Sequence, residues 1–238
     1  MKRHLASLFL LAVASFAILQ QATKAQSLVD ARESSGAAVL PTSPTLPDLT
    51  YTPPTQKTKL RNYAFDAFGP YPIVGAALVA GINQGENTPP EWKQGAAGYG
   101  KRFASDFGIA AVTTTTRYAL AEVFKEDTLY YRCECNGLLP RLRHAVISTF
   151  TARRGADGHR VFSIPALVAP YAGIMTAVYA WYPSRYEPAD GLRMGNYTLL
   201  GSVGGNIFLE FFYSGPHSLR SRMHLNNGHG APPPGSNP

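Results

Sequence analysis

Cysteine is nearly absent from this chain: Cys133 and Cys135 are the only two. That scarcity excludes a disulfide framework as the basis of the fold. A metal site built on them would need two further donors that no spacing supplies. Charge is sparse as well. There are 15 Asp and Glu against 22 Lys and Arg, and the basic residues form no long block, a balance that does not mark a nucleic-acid-binding surface. The chain has no GxSxG elbow and no HExxH pair, and no phosphate loop stands in the required context. Gly95-x-x-Gly98-x-Gly100 has a related cadence, but it follows a helix signal rather than a strand. No metal or cofactor pattern is read.

What is present first is an address. Met1-Lys2-Arg3-His4 leads into an apolar run from Leu5 to Leu19, with Thr23 and Ala25 as small residues ahead of a cleavage point at Gln26. This reads as a secretory signal peptide over 1–25. Its removal takes away three basic residues and no acid, lowering the net charge from +7 to +4. Residues 26–56 are rich in Ser, Thr, Ala and Pro and bury little apolar area against their ordering entropy, so they read as a disordered leader. Residues 215–238, with Asn226-Asn227-Gly228 and Pro232-Pro233-Pro234, read as a disordered tail. The candidate domain is 57–214.

Inside it lie three uncharged stretches: 67–85, 161–184 between Arg160 and Arg185, and 194–209. The longest of them can cross a bilayer, but all are rich in Ala, Gly and Pro, which suits helices packed closely in a bundle equally well. The expected fold is all-α: a small-residue-rich helical bundle of five or six helices, either soluble or membrane-associated. Gly201, Gly204 and Gly205 are expected to make a smooth contact side on a helix capped by Asn196, where Asn206 and Glu210 share a face.

Thr88-Pro89-Pro90-Glu91 carries a helix-start signature, with Thr88 as cap and Glu91 in a capping box. Downstream, Trp92, Ala96, Tyr99, Phe103, Phe107 and Ala110 make one apolar stripe, with Lys93, Lys101 and Arg102 off it. A second helix is expected over 138–150 and a loop or hairpin tip at 155–158. Ser163 caps a further helix, which Pro170 would kink and Pro183 would end.

The run from Trp92 through Gly95, Gly98, Tyr99, Gly100, Arg102 and Phe103 gives the pattern WxQGxxGYGxRF. Together with Asp127-Thr128-Leu129-Tyr130-Tyr131-Arg132 and the 149–162 stretch, it resembles a family of uncharacterised exported proteins from acidobacterial genomes. The resemblance covers about 60–214 and implies export without implying a chemistry.

Asp106, Arg117, Glu122, Asp127, Tyr130, Tyr131, Arg132 and His144 are the residues that could carry one, through carboxylate, imidazole and guanidinium groups. Of these, Asp106, Asp127, Tyr130 and His144 are the catalytic candidates, while the WxQGxxGYGxRF residues form a structural motif. Satisfied ion pairs explain the same residues. The leading expectation is an envelope-associated structural or scaffolding protein, with membrane lipids or envelope proteins as partners. The alternative is a periplasmic enzyme acting on an envelope lipid or glycan.

Overall fold

The computed structural model describes residues 51–213 and 229–230. The signal peptide, nearly all of the leader and all of the tail except His229 and Gly230 lie outside the described residues. Six α-helices are seen among them: α1 Gln56–Phe68, α2 Pro70–Gly85, α3 Gly95–Phe124, α4 Leu138–Phe150, α5 Ile164–Ala180 and α6 Pro188–Phe208. The short strands β1 Glu126–Asp127, β2 Thr151–Arg154 and β3 His159–Phe162 form one antiparallel sheet in that order. The fold is an all-α bundle with a small β cap at the C-terminal end of α3.

Local chemistry explains most boundaries. The Thr55 hydroxyl accepts from the Thr58 amide at the start of α1. Ser163 does the same for Ala166 at the start of α5, where Pro165 occupies a position whose amide has no helical partner. Lys125, in the left-handed region at φ 56°, ends α3 and turns the chain into β1. Pro170 is accommodated inside α5.

The core is built by close helix crossings rather than by large side chains. Residues 161–184 divide into β3, the Ser163 cap and α5, and eight residues of α5 are buried, among them Ala169, Ile174 and Ala177. A methyl at Gly173 would lie 2.0 Å from Thr113 Oγ1 and 2.8 Å from the Ile109 carbonyl, so α5 meets α3 nearly backbone to backbone. Gly195 likewise leaves room for the Tyr171 ring, which a methyl would approach to 2.4 Å. The expected contact glycines differ: Gly201, Gly204 and Gly205 face open space. Helix α6 begins earlier than expected, at a capping box of Glu187 and Asp190, which places Asn196 in mid-helix, accepting from the Tyr171 hydroxyl.

The largest departure is in α3. Its buried positions are Gly98, Arg102, Ser105, Ile109 and Ala121, not the expected aromatic stripe. Trp92 belongs to a separate 3-10 turn, Pro90–Trp92, that ends before α3 begins at Gly95 (φ +87°). The Thr88 hydroxyl donates to the Glu86 carbonyl and caps nothing. Arg102, expected off the apolar stripe, is wholly buried. Its guanidinium donates to the carbonyls of Thr88, Pro89 and Lys93 at 2.7–2.9 Å and to the Gln84 side chain at 2.6 Å. Four acceptors make that burial tolerable, and they bind the 84–93 loop onto α3. Gly98 is required beneath it, since a methyl there would reach 2.2 Å from the Lys93 carbonyl. Tyr99 donates to the Ala77 carbonyl, Phe103 stacks on Phe107, and Gln94 donates to Gln84. The WxQGxxGYGxRF residues therefore clamp a loop.

Helix α2 has the opposite character. Val74, Leu78 and Ile82, four residues apart on one stripe, are 56 %, 66 % and 57 % exposed. Gly81 and Gly85 also face open space. The nearly continuous run Gln56–Gly85 is long and apolar enough to cross a membrane, and only 17 % of its apolar part is buried.

Candidate functional site

Three of the four catalytic candidates gather at the β cap. Asp106 does not: it sits eleven residues ahead of Arg117 on α3, about 16 Å along the axis. There it accepts from Asn83, and burial raises its carboxyl pKa to about 7, against the opposing pull of Asn83 and Arg102. Glu122 is also elsewhere, paired with Lys59 across α1 and α3 at 2.8 Å.

Asp127 is buried in β1 and accepts the hydroxyls of Tyr51 and Tyr131, both at 2.7 Å on Oδ2, and the Leu129 amide on Oδ1. The two phenols are held well above their ordinary pKa, first by burial and then by the carboxylate beside them. Tyr51 is itself buried, so the packed domain reaches back into the segment expected to be leader.

Tyr130 turns the other way and donates to Glu210 at 2.7 Å. Glu210, in a π-helical turn Leu209–Tyr213, is wholly buried. It also accepts from Arg141 Nε at 2.9 Å and from the Cys133 amide at 3.0 Å, and the Arg141 guanidinium reaches its backbone carbonyl as well. The expected Asn206–Glu210 pair is not formed; Asn206 donates to Thr149 instead. Cys133 and Cys135 are joined by a disulfide, beside the amide that Glu210 holds.

His144 lies against Tyr130, ring centroids 6.0 Å apart, with Nδ1 4.0 Å from Glu210. An arginine only donates, so at 2.7 Å from Arg160 the Nε2 atom must be an acceptor and Nδ1 carries the hydrogen. Burial, then the Arg160 charge, lowers the His144 pKa, which Glu210 partly offsets.

The backbone of Tyr130 joins this network to the distant C-terminal region. Its carbonyl accepts from the Gly230 amide at 2.7 Å and its amide donates to His229 Nδ1 at 3.0 Å. That leaves His229 Nε2 to donate to Asp66, which also accepts from Tyr118 at 2.7 Å. Asp66, His229 and Glu210 carry no sequence signal for this site, because their partners lie 52 to 163 residues away. Beneath Tyr130, Arg117, Thr128, Thr149 and Asn206 help to line a cavity of about 390 Å³.

Chemically the cap is a set of saturated carboxylates. Asp127 and Glu210 each accept three hydrogen bonds or more, and His144 has its acceptor nitrogen occupied by Arg160. Such groups hold elements together. They are not poised to take a proton from a substrate.

No protein-family model, curated protein or solved structure matches this chain.

Proposed function

We propose that this is an exported envelope protein that seats on a membrane through the uncharged face of α2 and serves there as a structural or scaffolding element. The observation that carries the reading is the exposed stripe of Val74, Leu78 and Ile82 on a helix without a single charge. Helix α5, of similar composition, buries eight of its residues in the core, whereas α2 buries only Ala76 and Ala80. Exposed apolar area of this kind is stabilised by leaving water, and lipid is the partner that asks for no specific complementarity. Export is supported by the basic and apolar start of the chain.

Flotation with phosphatidylcholine vesicles tests the reading. The full chain should rise with the vesicles, and Leu78→Glu, which changes an exposed position, should stay behind while keeping its helical circular dichroism. Equal recovery of both proteins in the bottom fraction would overturn it.

The second reading, an enzyme acting on an envelope lipid or glycan, is favoured by the cavity beneath Tyr130, whose volume falls in the range of small-molecule sites. Arg117 and Asn206 are the side chains that would contact such a substrate, and turnover lost in Arg117→Ala with an unchanged melting temperature would support it.

A further inference from the structure

We propose that Arg153 and Arg160, cross-strand neighbours on one face of the β2–β3 hairpin, form a binding site for a phosphate-type oxyanion. The two residues are directly paired in the antiparallel register, so their side chains leave the sheet on the same side. Like charges placed opposite one another destabilise a sheet unless something answers them.

Two neighbouring arginines have direct ion pairs. Arg154 has Glu126 at 2.9 Å and Arg141 has Glu210 at 2.9 Å. Among the described residues, Arg153 and Arg160 have no carboxylate partner. Asp127 stands opposite Arg153 across β1 and β2 and is the one carboxylate in this row, but its hydrogen bonds go to Tyr51, Tyr131 and the Leu129 amide, so it faces two arginines without a direct ion pair to either. The rings of those two tyrosines lie against the Arg153 guanidinium at 5.4 and 5.1 Å, and its Nε, like that of Arg154, is buried without an acceptor. Arg160 is fixed by neutral groups only, the Ser148 hydroxyl at 3.2 Å and His144 Nε2 at 2.7 Å. Partial burial, then the Arg153 charge, holds the Arg160 guanidinium below its ordinary pKa.

A hollow of about 20 Å³ lined by both arginines, Ser148, Tyr130 and Tyr131 lies at this point. It has room for one oxygen-sized group, and Arg160 is open to solvent above it. Two planar forks on one face, with only the single carboxylate of Asp127 to offset their charge, match the tetrahedral oxygens of a phosphate. The phosphate of a lipid headgroup and free phosphate share that chemistry. The site is independent of α2: one is read by anion dependence, the other by insertion into uncharged lipid.

The test is a thermal-unfolding titration of the full chain with inorganic phosphate, against chloride at equal ionic strength. Phosphate should raise the melting temperature in a saturable way. Arg153→Gln and Arg160→Gln should each weaken the apparent affinity by about tenfold or more, as expected for losing a charge-assisted hydrogen bond. A parallel arm uses the Leu78→Glu background with vesicles of phosphatidylcholine alone or containing phosphatidic acid. Binding only to the acidic vesicles, lost in Arg160→Gln, assigns the site to a lipid phosphate; stabilisation by free phosphate assigns it to a soluble ligand. Should Arg160→Gln fail to fold, Arg153→Gln and the titration of the unmodified chain still decide. No response to phosphate or to phosphatidic acid would overturn the proposal, as would an undiminished response in both variants.

Discussion

Gly98 and Arg102 sit one turn apart on α3, and a methyl on Gly98 would come within 2.9 Å of Arg102 Nη1. The missing side chain is what lets the guanidinium lie flat under the loop and collect its carbonyls. Gly98→Ala should therefore cost roughly 2–4 kcal/mol, well beyond the normal gain in helix propensity from Gly to Ala. Arg102→Lys should be comparably damaging, because an ammonium cannot reproduce a planar fork. Chemical denaturation of each full-length variant checks both, and midpoints like that of the unmodified chain would contradict the clamp.

Asp106 should make stability fall as pH rises. Its folded carboxyl pKa is raised to about 7 by burial, from an ordinary value of 3.8. Between those values the folded chain holds a proton that the unfolded chain has lost. The group is therefore harmless at pH 4 and progressively destabilising toward pH 8. Asp106→Asn should be more stable than the unmodified chain at pH 8, by roughly 1–3 kcal/mol, with the gap closing near pH 4. An equal effect at both values would remove the assignment.

His144 should behave in the opposite sense. Its lowered pKa means that the unfolded imidazole takes up a proton at mildly acid pH that the folded one refuses, so its contribution to stability is lost as pH falls through the free-histidine value of 6.5. In an NMR titration the His144 ring resonances should move below pH 6.5. Titration at or above that value would contradict the Arg160-to-Nε2 hydrogen bond.

At Glu210 two substitutions should separate charge from hydrogen bonding. Glu210→Gln leaves the half-buried Arg141 facing a neutral group and should cost about 2–3 kcal/mol. Tyr130→Phe removes one donor and should cost about 1–2 kcal/mol. Melting curves that rank the two in reverse would show that the tyrosine, not the ion pair, closes the cap.

The sequence displayed what local chemistry controls: the helix over 138–150, the Ser163 cap, the hairpin tip and the all-α class. It misled where tertiary contacts overrode pattern. The aromatic stripe of α3 pointed to one face, but Gly98, Arg102 and Ser105 turned another inward, because a guanidinium with four acceptors can be buried and a glycine permits close approach. Of the candidate cluster, Asp127, Tyr130 and His144 converge because β1 follows α3 directly and the β2–β3 hairpin folds back beside it. Asp106 was separated from them by helix length alone. Glu210 and His229 could not be assigned to the cap from sequence, since nothing near them in the chain specifies their partners.

Extraction of the native protein from an envelope fraction tests membrane association most directly. The protein should sediment with membranes, stay there through high salt and be released by detergent, because an apolar helix face rather than surface charge holds it. Recovery of all the protein in the soluble fraction before any extraction would contradict it.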